Sequence, residues 1–435
     1  MRRYIVGEKQ ENIKEYKYSE ALRVMHKDNL TILASEESRE WIKISDECFN
    51  ILNKVLEMNL NHSQILECFE LETDRVYFDS LLQKLYVMHI LKNKDDENVR
   101  DIEGVYLIIT DRCNLSCTHC CADAPNLISK NDLDTKAMCK IIDKILQLNP
   151  SSITISGGEP LVRSDIWVIM EYLKSKFNGN IDIMTNGLLI NEGNINYIKK
   201  YFDSISISLD GVDEESCRII RGNNVFKSVI KKVEFLKSNG LKNISTSAVL
   251  PNNENIRREF EKLNHDLGTE PIIRYFSHKG RAGENYKKIA AQMNEYLRNR
   301  NMEEKSIIDW KSYISTDKKD IRTGACGGCE STLSIGSNGE IYPCNLLMDP
   351  VYSMGNILEI KDIVSYINNI KIDSNNGYKA FVDLKQCNNY KCRECSVKSF
   401  CWSCPAECDD FLSKEDIFED RCKQVKSRLT SVVWG

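Results

Sequence analysis

Between residues 104 and 276 the chain repeats one pattern six times: a short apolar run, then a segment with apolar residues at helical spacing. The apolar runs are VYLIIT (105–110), SITIS (152–156), IDIMT (181–185), SISISL (204–209), NISTSAVL (243–250) and PIIRYF (271–276). Among the helical segments are KAMCKIIDKILQL (136–148), IWVIMEYLKSKF (166–177) and VFKSVIKKVEFLKS (225–238). Strand followed by helix, repeated, predicts parallel strands joined by right-handed crossovers. The expected fold is α/β, an open, partial (β/α)6 TIM-like barrel. Such sheets carry their chemistry at the carboxyl ends of the strands.

A cysteine cluster stands just after the first strand, in RCNLSCTHCC (112–121). The chain has 18 cysteines, four of them at 113–121 and ten between 326 and 422. Its start, MRRYIVGEKQ, lacks the apolar run of a secretion signal, so a cytoplasmic, thiol-reducing setting is expected. Clustered thiols there point to zinc or iron–sulfur. Cys48, Cys68, Cys139 and Cys217 stand alone and read as small buried hydrophobes. The net charge of −5 offers no basic footprint for nucleic acid, and no apolar run is long enough to span a membrane.

Cys113, Cys117 and Cys120 are spaced with three and two residues between them. A structural zinc wants four ligands. Three thiolates on one loop suit a 4Fe–4S cube whose fourth iron takes a non-protein ligand. The alternative is a zinc site completed by Cys121 or a distant cysteine. Downstream, GGEP (157–160), TNG (185–187) and SLDG (208–211) end the second, third and fourth strands, so polar groups converge on one mouth. Gly157 and Gly158 allow close backbone approach, and Glu159 offers a carboxylate. Asp210 is a candidate acid–base group or an ordinary turn aspartate.

Over roughly 104–300 this combination resembles the radical S-adenosylmethionine superfamily. The resemblance implies that Cys113, Cys117 and Cys120 hold the cluster, whose open iron binds the amine and carboxylate of S-adenosylmethionine. It implies that Gly157, Gly158 and Glu159 meet the cofactor's amino group. Asn186 and Ser208 fall where the family contacts ribose or carboxylate, and Arg221 matches a carboxylate-pairing arginine. His119 stands where the family has an aromatic residue near adenine. The cofactor would supply a 5′-deoxyadenosyl radical able to take hydrogen from unactivated carbon, with cluster potentials down to about −700 mV.

The second field holds ACGGCESTLSIGSNGEIYPC, with Cys326, Cys329 and Cys344, and KCRECSVKSFCWSCPAEC, with Cys392, Cys395, Cys401, Cys404 and Cys408; Cys422 follows. Two-residue spacings alone would fit a zinc ribbon, and so cysteine-rich a stretch leaves little room for a hydrophobic core. The field resembles the SPASM extension, which carries two auxiliary 4Fe–4S clusters. By that resemblance Cys326, Cys329, Cys344 and Cys404 take one, and Cys392, Cys395, Cys401 and Cys422 the other. Cys404 and Cys408 compete as ligands, and Cys387 and Cys408 are otherwise left over.

In the first part, NLTILASEESREWIKIS (29–45) predicts two strands around a turn. DECFNILNKVLEM (46–58) and YFDSLLQKLYVMHIL (77–91) predict helices, and KNKDDENVRD (92–101) a linker. The pattern resembles the winged-helix-like peptide-binding module of peptide maturases, similar to the small chaperone of pyrroloquinoline quinone biosynthesis. The expected division is a leader-recognition domain at 1–98, a radical barrel at 99–302 and a SPASM domain at 303–435.

As a whole the order resembles maturases of ribosomally made peptides, especially the sactipeptide type that makes subtilosin. It implies a thioether-forming enzyme with S-adenosylmethionine and three 4Fe–4S clusters. Its partners would be a precursor peptide with a leader and an electron donor such as flavodoxin or ferredoxin. Carbon–carbon cross-linking or another peptide oxidation is the alternative. Formylglycine-type sulfatase maturation and a zinc-bound peptide-binding protein rank below it.

Overall fold

The computed structural model describes residues 15–96, 100–124, 132–303, 321–324, 326–401, 404–412 and 415–435. The expected domain boundary at 98 lies outside them. The first unit runs β1 (Tyr16–Tyr18), β2 (Leu22–Lys27), β3 (Leu30–Ser35), β4 (Trp41–Ser45), α1 (Asp46–Glu57), α2 (His62–Glu67), α3 (Glu72–Val87) and β5 (Leu91–Asn93). Strands β2, β3 and β4 form an antiparallel sheet with β3 in the middle, and β5 returns to pair with β1. The hairpin expected over 29–45 is β3–β4. The helix expected at 46–58 is α1, whose first turn is capped by the Ser45 side chain accepting from the Cys48 N–H. The helix expected at 77–91 starts earlier and gives way to β5, so the expected linker begins as a strand. Its partner, β1, lies far back in the chain, and local pattern carries no sign of that pairing.

This small sheet is covered on both faces, as its period-two pattern requires. Leu33 and Ile44 pack with Leu52, Leu82 and Leu85 of α1 and α3. Met25, Ile32 and Ala34 pack with Phe400, Phe411, Val425 and Leu429 from the far end of the chain.

The main sheet begins with β6 (Gly104–Ile108), β7 (Ser152–Ser156), β8 (Asn180–Thr185), β9 (Ser204–Ser208), β10 (Ile244–Val249) and β11 (Glu270–Arg274). All six run parallel, and neighbours in the chain are neighbours in the sheet. This single winding is the order a barrel uses, without the reversal of a doubly wound sheet. The crossovers carry α4 (Thr135–Gln147), α5 (Ile166–Lys176), α6 (Ile195–Tyr201), α7 (Glu214–Arg221), α8 (Val225–Ser238) and α9 (Glu254–Leu267). Helix α10 (Gly280–Asn299) follows β11.

Two more strands come from beyond residue 302. β12 (Thr332–Ile335) lies parallel beside β6, and β13 (Ile341–Tyr342) pairs antiparallel with β12. Among the described residues the sheet therefore has eight strands rather than six, stays open between β11 and β13, and crosses the boundary expected at 302. Helices α11 (Ile363–Asn369), α12 (Asn376–Leu384), α13 (Lys398–Cys401), α14 (Pro405–Leu412) and α15 (Glu415–Trp434) complete the chain. The expectation of little core in the cysteine-rich stretches 324–345 and 385–422 is overturned. Leu333, Ile335 and Ile341 are fully buried in the core of the main sheet, and Val397 and Phe411 in that of the small one. The cysteines punctuate this region, but apolar residues between them reach a core that another part of the chain supplies.

Among the lone cysteines, Cys48 and Cys217 are buried as expected; Cys68 is exposed and Cys139 half-buried. No helix among the described residues is long and apolar enough to cross a membrane.

Candidate functional site

Cys113, Cys117 and Cys120 lie on the loop that leaves the carboxyl end of β6, and they are electrostatic neighbours of one another. Cys113 and Cys117 are buried, Cys120 is half-buried, and Cys121 is exposed. The loop is pinned from two sides. The Thr118 N–H donates to the Ile220 carbonyl at 2.9 Å. Arg281 Nε donates to the Cys117 carbonyl at 3.2 Å, and Asn285 to that of Thr118 at 3.2 Å. Gly280, at φ +54°, passes so close that a Cβ there would sit 2.8 Å from the Cys120 carbonyl oxygen. Thr118, Gly280, Arg281 and Asn285 carry no motif, and sequence reasoning missed them.

The GGEP segment presses the end of β7 against this loop. A Cβ on Gly157 would sit 2.3 Å from the Thr110 carbonyl oxygen, and one on Gly158 2.4 Å from that of Arg112. The Glu159 N–H bonds the Arg112 carbonyl at 2.8 Å. The Glu159 carboxyl is wholly buried and accepts from Thr185 Oγ1 at 2.7 Å, the Asn186 N–H at 2.7 Å and the Leu161 N–H at 3.1 Å. Burial pushes its pKa up, and these three donors oppose the rise. Asn186 donates to Asn114 at 2.7 Å and points a second N–H towards Cys113 Sγ at 3.9 Å.

Asp210 holds the other side of the mouth. It adopts φ +52° and accepts from Arg221 Nε at 2.5 Å, the Val249 N–H at 2.7 Å and His119 Nε2 at 3.1 Å. Burial works against its ionisation, but Arg221 and His119 outweigh it and hold the carboxyl well below the usual range. Arg221 then extends Nη1 to 3.8 Å from Cys117 Sγ. So Asp210 is a positioning residue that aims Arg221 at the cysteine loop and holds the loop through its own His119. Ser208 ends β9 opposite Ser247 of β10, half-buried on the same mouth.

Burial pushes the Cys117 thiol up to about 11, against the pull of Arg221. A thiol so placed becomes a thiolate only when a cation sits on it. Cys121 neighbours Cys120 and burial raises its thiol pKa too, but as a residue it is exposed; the three converging sulfurs of Cys113, Cys117 and Cys120 fit a 4Fe–4S cube with one open iron. Among the described residues, no three cysteine, histidine or carboxylate side chains are close enough to hold a single metal ion.

The later cysteines gather into two groups. Cys344 neighbours Cys326 and Cys404, and Cys329 neighbours Cys326. Cys392 neighbours Cys395, Cys401 and Cys422. Cys408, fully buried, lies beside Cys392 and Cys401, in the second group rather than in competition for the first. Arg421 donates to Cys401 Sγ at 3.0 Å. Helix α14, which follows Cys404 and carries Cys408, is tied to the barrel through Asp410, which accepts from the Tyr275 hydroxyl, Ser277 Oγ at 3.1 Å and the His278 N–H at 2.9 Å.

Sequence reasoning also missed the character of the inner face. In β7 and β9 the isoleucines pack into the helix layer, while Ser152, Thr154, Ser204, Ser206 and Ser208 face the other way. The signal was in plain view: SITIS and SISIS alternate strictly, which marks a half-polar sheet rather than a filled barrel.

Residues 107–267 match the Radical SAM superfamily. The chain is similar to a probable GTP 3′,8-cyclase of Methanococcus maripaludis strain C7, 27% identical over 61% of this chain and 92% of that protein. It is also similar to the mycofactocin maturase MftC of Mycolicibacterium smegmatis, 24% identical over 58% of this chain and 66% of that protein. It spans about half the length of other GTP 3′,8-cyclases it matches, 47% and 54%. The fold is similar to that of Streptococcus suis SuiB bound to precursor peptide SuiA. There the TM-score is 0.51 and the identity 16%, over 89% of this chain and 94% of that one.

Proposed function

With residues 107–267 a Radical SAM domain, we propose that the chain is a radical S-adenosylmethionine maturase of a ribosomally made peptide, joining a cysteine sulfur to a carbon of the same peptide. The observation that carries the reading is the loop of Cys113, Cys117 and Cys120, three mutual neighbours clamped at a strand end by GGEP and by the Asp210–Arg221 pair. These cysteines would hold the first cluster, with Cys326, Cys329, Cys344 and Cys404, and Cys392, Cys395, Cys401 and Cys422, holding two more. When bound, cluster and cofactor would supply a carbon-centred radical that takes one hydrogen atom from the peptide; closing the sulfur–carbon bond then releases the thiol proton and one electron, for which an auxiliary cluster would be the acceptor. Glu159 and Asn186 shape the cofactor's seat. Asp210 keeps Arg221 charged and aimed at Cys117.

A free sheet edge supports the peptide. The bond from the Glu36 N–H to the Ala21 carbonyl fixes the phase of the β2–β3 ladder. Arg23 and Met25 then bond inward, and the backbone groups of Val24 and His26 point outward. Among the described residues nothing pairs with that side of β2. Just before β4, the Arg39 carbonyl accepts from the Thr323 N–H. A leader would add as a strand along β2, and tethering raises the concentration of its core segment at the mouth.

The relatives named GTP 3′,8-cyclases favour a second reading, with a nucleotide as substrate. One experiment separates the two. Reconstituted enzyme, S-adenosylmethionine and reductant are incubated anaerobically with a cysteine-containing precursor or with GTP, and products are fragmented in the mass spectrometer. A sulfur–carbon bond in the peptide is expected; conversion of GTP alone would contradict it. Val24→Pro removes an outward N–H that β3 does not use, so the fold is kept. Leader binding is expected to weaken about tenfold, read by fluorescence anisotropy of the labelled leader.

A further inference from the structure

Arg274 ends β11, the edge strand of the main sheet. Its register partner is Val249, which puts it on the face of Ser245 and Ser247. Thr246 lies on the opposite face, bonded to Asn264 of α9 at 2.7 Å. Arg274 therefore stands at the mouth, with Asp210, Arg221, Tyr106 and Cys121 around it. The one carboxylate among these, Asp210, is already engaged by Arg221, His119 and Val249. Among the described residues Arg274 has no hydrogen bond or ion pair. Burial pulls its pKa down, outweighing the attraction of Asp210, whose carboxylate is shared among the other three donors. A planar guanidinium in that condition is complementary to a carboxylate, which it grips with two parallel hydrogen bonds.

We infer that Arg274 receives a carboxylate of the substrate peptide, from an aspartate or glutamate side chain or from a free carboxy terminus, beside the cofactor cysteines. The inference rests on the peptide reading above and names what that peptide must carry. The route in is the open edge. Ile272 and Ile273 are 39% and 36% exposed there, and Pro271 has no N–H with which to recruit a further strand. Beyond Arg274 the inner face offers Ser206 Oγ and Ser334 Oγ, both buried without a partner and suited to polar backbone.

The test is affinity selection from synthetic random decapeptides, with free or amidated carboxy termini, on the reconstituted enzyme saturated with S-adenosylhomocysteine. Wild type, R274K, R274Q and R274E are run in parallel, and captured peptides are identified by mass. Wild type is expected to enrich acidic peptides. Enrichment that survives amidation assigns the side chain, and enrichment lost on amidation assigns the terminus. R274Q is expected to lose it about tenfold, R274K to keep part, and R274E to turn to basic peptides. Cofactor affinity is expected to stay at the wild-type value throughout. The same peptides from all four proteins would overturn the inference. A tenfold loss of S-adenosylmethionine affinity in R274Q would also overturn it, by giving the arginine to the cofactor's carboxylate. Capture of nothing by any protein would count against the peptide reading itself, and the inference would fall with it.

Discussion

Asp210→Asn is expected to lower stability by about 3–5 kcal/mol, the cost of leaving a buried charge without its partner. The carboxyl is 3% exposed and joins three elements: Arg221 at the end of α7, Val249 at the end of β10, and His119 on the cysteine loop. The amide keeps the shape and removes the charge, so Arg221 stays buried with nothing to balance it. The denaturant midpoint of the metal-free protein reads this directly. Arg221→Met alone is expected to destabilise by a similar amount. The double variant is expected to recover much of the loss, because it leaves no buried charge unpaired. Losses that simply add would show that the two side chains do not act as a pair.

The second large effect separates two cysteines that sequence left as rivals. Cys404→Ala is expected to lose about four irons per chain, one cube, while Cys408→Ala keeps its iron. The reason is placement. Cys404 neighbours Cys326 and Cys344. Cys408 is fully buried beside Cys392 and Cys401, which the same scheme already supplies with Cys395 and Cys422. Iron analysis after anaerobic reconstitution decides it. Loss of iron from Cys408→Ala with full loading of Cys404→Ala would reverse the assignment.

The parallel core was legible because each strand–helix unit repeats within a short stretch, and each strand end could be counted to the next motif. The β12–β13 hairpin was not legible, because its partner, β6, lies more than two hundred residues earlier and pairing at that range leaves no local trace. For the same reason the expected boundary at 302 cut through the sheet. In the sequence Asp210 reads as a candidate acid–base group or an ordinary turn aspartate. Its meaning comes from His119, Arg221 and Val249, which meet it only in the folded chain. Arg274 was hidden inside PIIRYF, a run read for its apolar residues. The Ser–Ile alternation was visible but was used to find strands, not to ask which face was polar.

Three thiols at the end of β6 are proposed to hold a cluster that opens S-adenosylmethionine. Reconstituted enzyme given S-adenosylmethionine and dithionite under argon is assayed for 5′-deoxyadenosine by chromatography, beside a variant with Cys113, Cys117 and Cys120 all changed to alanine. Steady release by the wild type, and none above background from a variant that still keeps its remaining iron, is the predicted result. Equal release from both proteins, or none from fully loaded wild type, would contradict it.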